Sequence, residues 1–176
     1  MAVVLVGGGA RSGKSRFALE YAAGFERRAF VATAQALDEE MAERIRRHRG
    51  ERDSKWTTIE EPLDLAGTIV KEAKRFDMIV VDCLTLWLNN VMGQESKDAE
   101  GEIENLVSSL SHATDATVIL ITNEVGCGIV PDNAMARRYR DLAGEMNQKV
   151  AAIADEVYWV VMGVPVKIKP GFGVGQ

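Results

Sequence analysis

The sequence predicts an α/β fold: one domain on a mostly parallel sheet with helices on both faces. Three observations carry this. Short continuous apolar runs rich in Val, Ile and Leu recur along the chain, which is how strands buried on both faces read. Amphipathic runs alternate with them, as right-handed βαβ units require. The chain has 176 residues, 47% hydrophobic and 27% charged, enough for one ordered core without disulfides or a structural metal.

The elements follow in order. Ala2–Val6 is a buried strand, Gly7–Gly13 a loop, and Lys14–Gly24 a helix that stops at a glycine. Ala29–Thr33 is the second strand. Asp38 to about Arg52 is a helix, with Asp38 as N-cap and Glu39 and Glu40 in the first turn, where acidic residues complement the helix dipole. Trp56–Ile59 is a short strand, and Leu63–Lys74 a helix introduced by Pro62. Met78–Asp82 is an apolar strand ending in a carboxylate. Leu84–Met92 is helical, Gly93–Gly101 a polar mobile loop, and Ile103–Leu110 helical. Thr117–Thr122 is a strand, Val125–Asn133 a loop and Ala134–Ala154 a long helix. Val157–Val161 and Val166–Ile168 are short strands. The domain is expected to span 1–169, with a Gly-rich flexible tail over 170–176.

Charge and cysteine usage exclude several classes. Lys plus Arg number 21 and Asp plus Glu 26, a net charge of −5, which argues against a protein that coats nucleic acid. No apolar run approaches the ~20 residues of a membrane span. The apolar N-terminus is too short for a signal peptide and lacks a basic flank. Cys83 and Cys127 are far apart with no CxxC, so neither a metal set nor a disulfide framework is implied, and a cytoplasmic, reducing location is expected.

Gly8-Gly9-Ala10-Arg11-Ser12-Gly13-Lys14-Ser15 matches G-x-x-x-x-G-K-[ST] between a strand and a helix. In that setting backbone N–H groups turn in around phosphate oxygens, and the helix N-terminus adds its positive end. Lys14 reaches the β/γ-phosphates and Ser15 holds Mg²⁺. The fold is therefore expected to be that of a P-loop NTPase, RecA-like. Asp82, ending its strand, is placed either as a second Mg²⁺ group or as a helix N-cap. Asn123 and Glu124 end another strand at the same edge. They read either as γ-phosphate or acceptor contacts or as a plain loop cap.

Of the two histidines, His112 reads as a solvated residue of a last helical turn. His48 sits among five arginines, Arg44, Arg46, Arg47, Arg49 and Arg52, with Arg44, His48 and Arg52 on one helical face. Three readings stay open there: a solvated basic face, a phosphate-binding helix, or a nucleophilic imidazole kept neutral by neighbouring positive charge.

Together these residues resemble a known family. Val6–Ser15, Ala32-Thr33-Ala34, Met41–Ile45 leading to His48-Arg49, and Thr122-Asn123-Glu124-Val125-Gly126-Cys127-Gly128-Ile129-Val130-Pro131 are similar to the bifunctional adenosylcobinamide kinase / adenosylcobinamide-phosphate guanylyltransferases of cobalamin assembly. So are Arg137, Arg140-Asp141, Ala143-Gly144, Asn147-Gln148 and Val166–Lys169. The resemblance spans about residues 3–169. It implies phosphoryl transfer from ATP or GTP to adenosylcobinamide. GMP transfer from GTP through a covalent histidine at His48 follows, giving adenosylcobinamide-GDP and pyrophosphate. It implies nucleotide contacts at Ala32, Thr33, Ala34, Arg49, Gly50, Glu51, Arg52 and Glu60, besides the phosphate loop and Asp82. A carboxylate at Glu60 suits guanine N1–H and its 2-amino group, although Glu61 is adjacent. The resemblance further implies Mg²⁺, small-molecule partners, and a homo-oligomer, plausibly a trimer. Where the corrinoid sits is not implied; Trp87–Met92, read as exposed, and the Val125–Pro131 loop are the candidates. The rival readings are a P-loop small-molecule kinase without a covalent intermediate and a non-catalytic nucleotide-binding module.

Overall fold

The computed structural model describes residues 2–36, 39, 42–43, 46, 50, 54–112 and 115–170. Seven strands form one sheet: β1 (Val3–Gly7), β2 (Arg28–Ala32), β3 (Trp56–Glu60), β4 (Met78–Asp82), β5 (Thr117–Ile121), β6 (Glu156–Val161) and β7 (Val164–Lys169). Their order is β3-β2-β4-β5-β1-β6-β7. Every neighbouring pair is parallel except the β6–β7 hairpin. The chain leaves β1 and re-enters the sheet at β2, with β4 and β5 between them. That places a topological switch point beside β1, where open α/β sheets bind ligands outside the strands' carboxyl ends.

The labelled helices are α1 (Lys14–Tyr21), α2 (Leu65–Glu72), α3 (Leu84–Met92), α4 (Ala99–His112) and α5 (Ala134–Ile153). Alternate strand residues feed two cores, as the period of two dictates. Leu5, Ile79, Val81, Val118 and Leu120 pack against α2 to α5. Val4, Val6, Val80, Ile119 and Ile121 pack with Ala18 of α1.

The expected elements are present, with end corrections that have local causes. Helix α2 starts at Leu65 because the Asp64 carboxylate accepts from the Gly67 N–H at 3.0 Å. Helix α4 starts at Ala99, inside the stretch expected to be a loop. There Asp98 accepts from the N–H groups of Glu100 and Gly101, both at 3.2 Å, and Glu100 and Glu102 occupy the first turn. The polarity of 98–102 is the signature of a helix start, not of a loop. Of the helix expected over 38–52, Glu39, Ala42, Glu43, Arg46 and Gly50 are helical, and Arg46 pairs with Glu43 at 2.5 Å. Pro170 is exposed, and the rest of the expected tail lies outside the described residues.

Candidate active site

The phosphate loop runs from the buried end of β1 to the first turn of α1. Two glycines are obligatory there. A Cβ on Gly8, whose φ is +151°, would meet the Val160 carbonyl at 2.5 Å, and Gly13 caps α1 in the left-handed region at φ +101°. Lys14 is only 6% exposed, and its Nζ donates to the carbonyls of Gly8 (3.0 Å) and Gly9 (2.6 Å). The ammonium is thus held at the inner rim of the loop. Gly9, Ala10 and Arg11 form its exposed crest. Ser12 Oγ is buried with no hydrogen-bond partner among the described residues. A buried orphan hydroxyl is costly, and an anion bound inside this loop would satisfy it.

Across the crevice, the Ser15 hydroxyl donates to Asp82 Oδ2 at 2.7 Å. Of the two readings of Asp82, the N-cap is not the one found: Cys83 is the cap residue of α3, and no side chain caps that helix end. The register places Glu60, Ala32, Asp82, Ile121 and Val6 in one row across β3, β2, β4, β5 and β1. Sequence-distant candidates therefore share one sheet edge.

The other expected residues divide. Thr33 is fully buried; its Oγ1 donates to the Cys83 carbonyl and accepts from the Cys83 N–H, both at 2.8 Å. The hydroxyl is committed to clasping the end of β4, so a contact from 32–34 to a nucleotide would be made by backbone and Ala34. Glu61 accepts from the N–H groups of Leu63 (2.9 Å) and Asp64 (2.8 Å), which makes it a turn residue. Glu60 is exposed at the end of β3. Gly50 is helical and exposed, whereas His48, Arg49, Glu51 and Arg52 lie outside the described residues. His112 is exposed, with Nδ1 2.8 Å from the Ser108 carbonyl, as expected of a last-turn residue.

Two expectations are corrected or resolved. Trp87, read as exposed, is fully buried with Leu88 and Val91, and its Nε1 donates to the Leu63 carbonyl at 3.0 Å. Helix α3 turns that stripe inward, so this face cannot receive a ligand. Glu124 closes its own loop, accepting from the Gly126 N–H at 2.5 Å, while the Asn123 amide donates to Thr85 Oγ1 at 2.9 Å. Cys83 is buried, and burial, then the Asp82 charge, pushes its thiol up.

Sequence reasoning missed the β6–β7 hairpin as a wall of the site. The Gly163 N–H donates to the Ser12 carbonyl at 2.9 Å, and Arg16 Nη2 donates to the Gly163 carbonyl at 3.3 Å. No local pattern links residues so far apart in the chain; only the β1–β6 pairing brings them together.

A family model described as "Cobinamide kinase / cobinamide phosphate guanyltransferase" matches residues 4–168. The chain belongs to this family. It is 43% identical over 167 residues to the bifunctional adenosylcobalamin biosynthesis protein CobP of Pseudomonas aeruginosa, covering 94% of this chain and 96% of that one. It is 40% identical over 181 residues to CobU, of the same description, from Salmonella typhimurium, covering 95% and 99%. Among solved structures, a prototypical ATPase of the type III secretion system aligns at TM-score 0.57 and 10% identity, over 98% of this chain and 59% of that one. The RadB recombinase aligns at TM-score 0.52 and 15% identity, over 90% and 73%. At that identity these two show the fold alone, a P-loop NTPase core of the RecA-like kind. Family membership covers the phosphate loop, Asp82 and the 122–131 segment alike. No helix of the described residues is long and apolar enough to cross a membrane.

Proposed function

We propose that this chain carries out both reactions of its family in adenosylcobalamin biosynthesis. It phosphorylates adenosylcobinamide with ATP or GTP, then moves GMP from GTP onto the product. The observation that carries this is the Ser15–Asp82 contact of 2.7 Å beside a pre-shaped phosphate loop, in a chain of this family from residue 4 to 168.

In the kinase step the acceptor hydroxyl oxygen bonds to the γ-phosphorus, the bond to the β–γ bridging oxygen breaks, and the nucleoside diphosphate leaves. The hydroxyl proton goes to solvent. Little covalent work falls to the protein; it positions groups and neutralises charge. Lys14 and the N-terminus of α1 meet the β/γ-phosphates, and Ser12 Oγ satisfies one phosphate oxygen. The Ser15 hydroxyl and the Asp82 carboxylate form an oxygen donor pair that fits Mg²⁺. Among the described residues, no cluster of three or more His, Cys, Asp or Glu forms a cage of its own. A Mg²⁺ here would therefore arrive with the nucleotide. When bound, it neutralises charge on the phosphates.

In the second reaction a neutral His48 nitrogen attacks the α-phosphorus of GTP, and the bond to pyrophosphate breaks. The phosphate oxygen of the acceptor then attacks the same phosphorus, the P–N bond breaks, and the imidazole is restored. Arg44, Arg47, Arg49 and Arg52 surround His48 in sequence; they disfavour imidazolium and favour an anionic ligand. Glu60 selects guanine, since the turn role of Glu61 leaves it as the exposed carboxylate of the pair. The substrates are small molecules, with no nucleic acid partner. The chain works as a cytoplasmic homo-oligomer, a trimer. Two free cysteines, Cys83 buried and Cys127 exposed, support a reducing compartment.

The test uses GTP labelled at the α-phosphate, with Mg²⁺, pyrophosphatase and no acceptor. Acid-labile, base-stable label is expected on wild type and His112→Ala and not on His48→Ala. Absence of label from all three would leave a P-loop kinase without a covalent intermediate.

A further inference from the structure

We infer that the Val125–Pro131 loop and the first turn of α5 form the docking platform for the macrocycle of the acceptor. This rests on the functional reading above and adds where the second substrate lies. Ile129 is 97% exposed, Val130 58% and Met135 61%. Single exposed apolar residues need no explanation, but a group of large ones on one short segment does.

This segment is built, not slack. At its root the Thr122 hydroxyl donates to Asn147 Oδ1 at 2.7 Å, Asn123 is tied to Thr85, and the Glu124 N–H donates to the Gly8 carbonyl at 3.3 Å. At its far end Arg137 Nη1 donates to the carbonyls of Pro131 (2.9 Å) and Asp132 (2.7 Å). Asn133 caps α5 by accepting from Met135 N (2.8 Å) and Ala136 N (3.2 Å). Both ends are pinned, and the apolar apex is held out in water.

The occupant follows from position. The Glu124–Gly8 bond ties the loop directly to the loop that grips phosphate. An acceptor whose hydroxyl meets the γ-phosphate must place its body beside this point. A corrin is a broad macrocycle with methyl groups and amide arms on its rim. Aliphatic side chains suit the methyls, and the exposed backbone around Gly128 suits the amides. The other exposed apolar group, Val161, Met162, Val164, Val166 and Ile168, runs to and along β7, one of the two edge strands of the sheet. An open strand edge suits pairing with another strand rather than a reacting small molecule. The two groups are therefore not interchangeable.

The loop carries its own reporter, since Cys127 is exposed and Cys83 is buried. On wild type without nucleotide, saturating adenosylcobinamide should slow alkylation of Cys127 by iodoacetamide at least about tenfold. The double variant Ile129→Ser/Val130→Ser should raise KM for adenosylcobinamide about tenfold or more, the worth of one large aliphatic side chain buried against a ligand. The KM for nucleotide and acceptor-independent GMP labelling should stay within about twofold. Unprotected Cys127, or an unchanged acceptor KM, overturns the inference. So does a variant whose assembly mass changes while its acceptor KM does not, because the loop is then a contact between copies of the chain. If wild type shows no acceptor-dependent turnover, the functional reading fails instead, and the alkylation result still decides whether a corrinoid docks here.

Discussion

Among the described residues, the two faces of the sheet are unequal. On one, α2, α3, α4 and α5 bury Leu65, Ile69, Trp87, Leu88, Leu106 and Met146 against the strands. On the other, among the described residues, α1 is the labelled helix that covers the sheet, supported by the half-buried rings of Phe17, Tyr21 and Tyr158. The phosphate loop belongs to the thin face, since Lys14 begins α1 and Ala18 and Ala22 seat it. The difference teaches a division of labour. Burial is concentrated where the layers are thick, and the phosphate loop hangs on a short helix whose N-terminus suits an anion.

A lesion on each face should therefore fail in its own way. Lys14→Ala removes the ammonium held at the loop rim. Acceptor phosphorylation should fall by about a thousandfold or more, about 4 kcal/mol of transition-state stabilisation. The melting temperature should hold within a few degrees. A steady-state assay and a thermal melt on one preparation check both halves. A large drop in melting temperature would mean that Lys14 is a structural prop for Gly8 and Gly9. Trp87→Ala is the mirror case. It empties a fully buried site on α3 and strands the Leu63 carbonyl, for an expected loss of about 3–5 kcal/mol in urea unfolding. The fraction still folded should bind nucleotide as wild type does. Weakened nucleotide affinity in that fraction would show that the thick face shapes the site as well as supporting it.

The same contrast explains what was legible in the sequence. Strands of the thick core read correctly because they are apolar on both sides, and the strand–loop–helix turn from β1 to α1 read correctly because its glycines and Lys14 follow one rigid pattern. Trp87 misled because an aromatic in a short helix next to a candidate site looks like a ligand surface, and only the packing of α3 shows that it turns inward. Glu60 and Glu61 were indistinguishable as letters. They separate once the Glu61 carboxylate is seen on the Leu63 and Asp64 N–H groups. The β6–β7 wall was invisible, since a turn at Gly163 meeting Ser12 depends on a strand pairing that spans almost the whole chain. Polar residues were the hardest to place: the same carboxylate can accept from a distant hydroxyl, start a helix or close a loop, and Asp82, Asp98 and Glu124 take these three different parts.

The thin face also has a polar prop, and it offers the smallest and most discriminating test. Glu156, at the start of β6, accepts from the Tyr158 hydroxyl at 2.7 Å and from that of Tyr21 at 3.5 Å, and pairs with Lys167 at 3.1 Å. The Phe17 and Tyr158 rings pack at 4.8 Å, so this cluster fastens α1 to β6. The Tyr158 hydroxyl bond, with Lys167 beside it, holds the Glu156 carboxyl below its ordinary range against the opposing effect of burial. Burial and then Glu156 itself push the Tyr158 phenol up to about 12, so it remains a donor at every working pH. A carboxyl lowered in the folded state contributes stability that is complete above its unfolded value, near 4.3. That stability is lost as pH falls through the lower folded value. Glu156→Gln keeps an acceptor for the tyrosines and removes only the charge. It should cost about 0.2–1 kcal/mol at neutral pH, the range of a partly exposed pair. The gap from wild type should close below about pH 4, as unfolding curves between pH 3 and 7 would show. Turnover at neutral pH should not change. If turnover falls while stability barely moves, the cluster is setting the position of the phosphate loop through α1, and the thin face is one mechanical unit from Glu156 to Lys14.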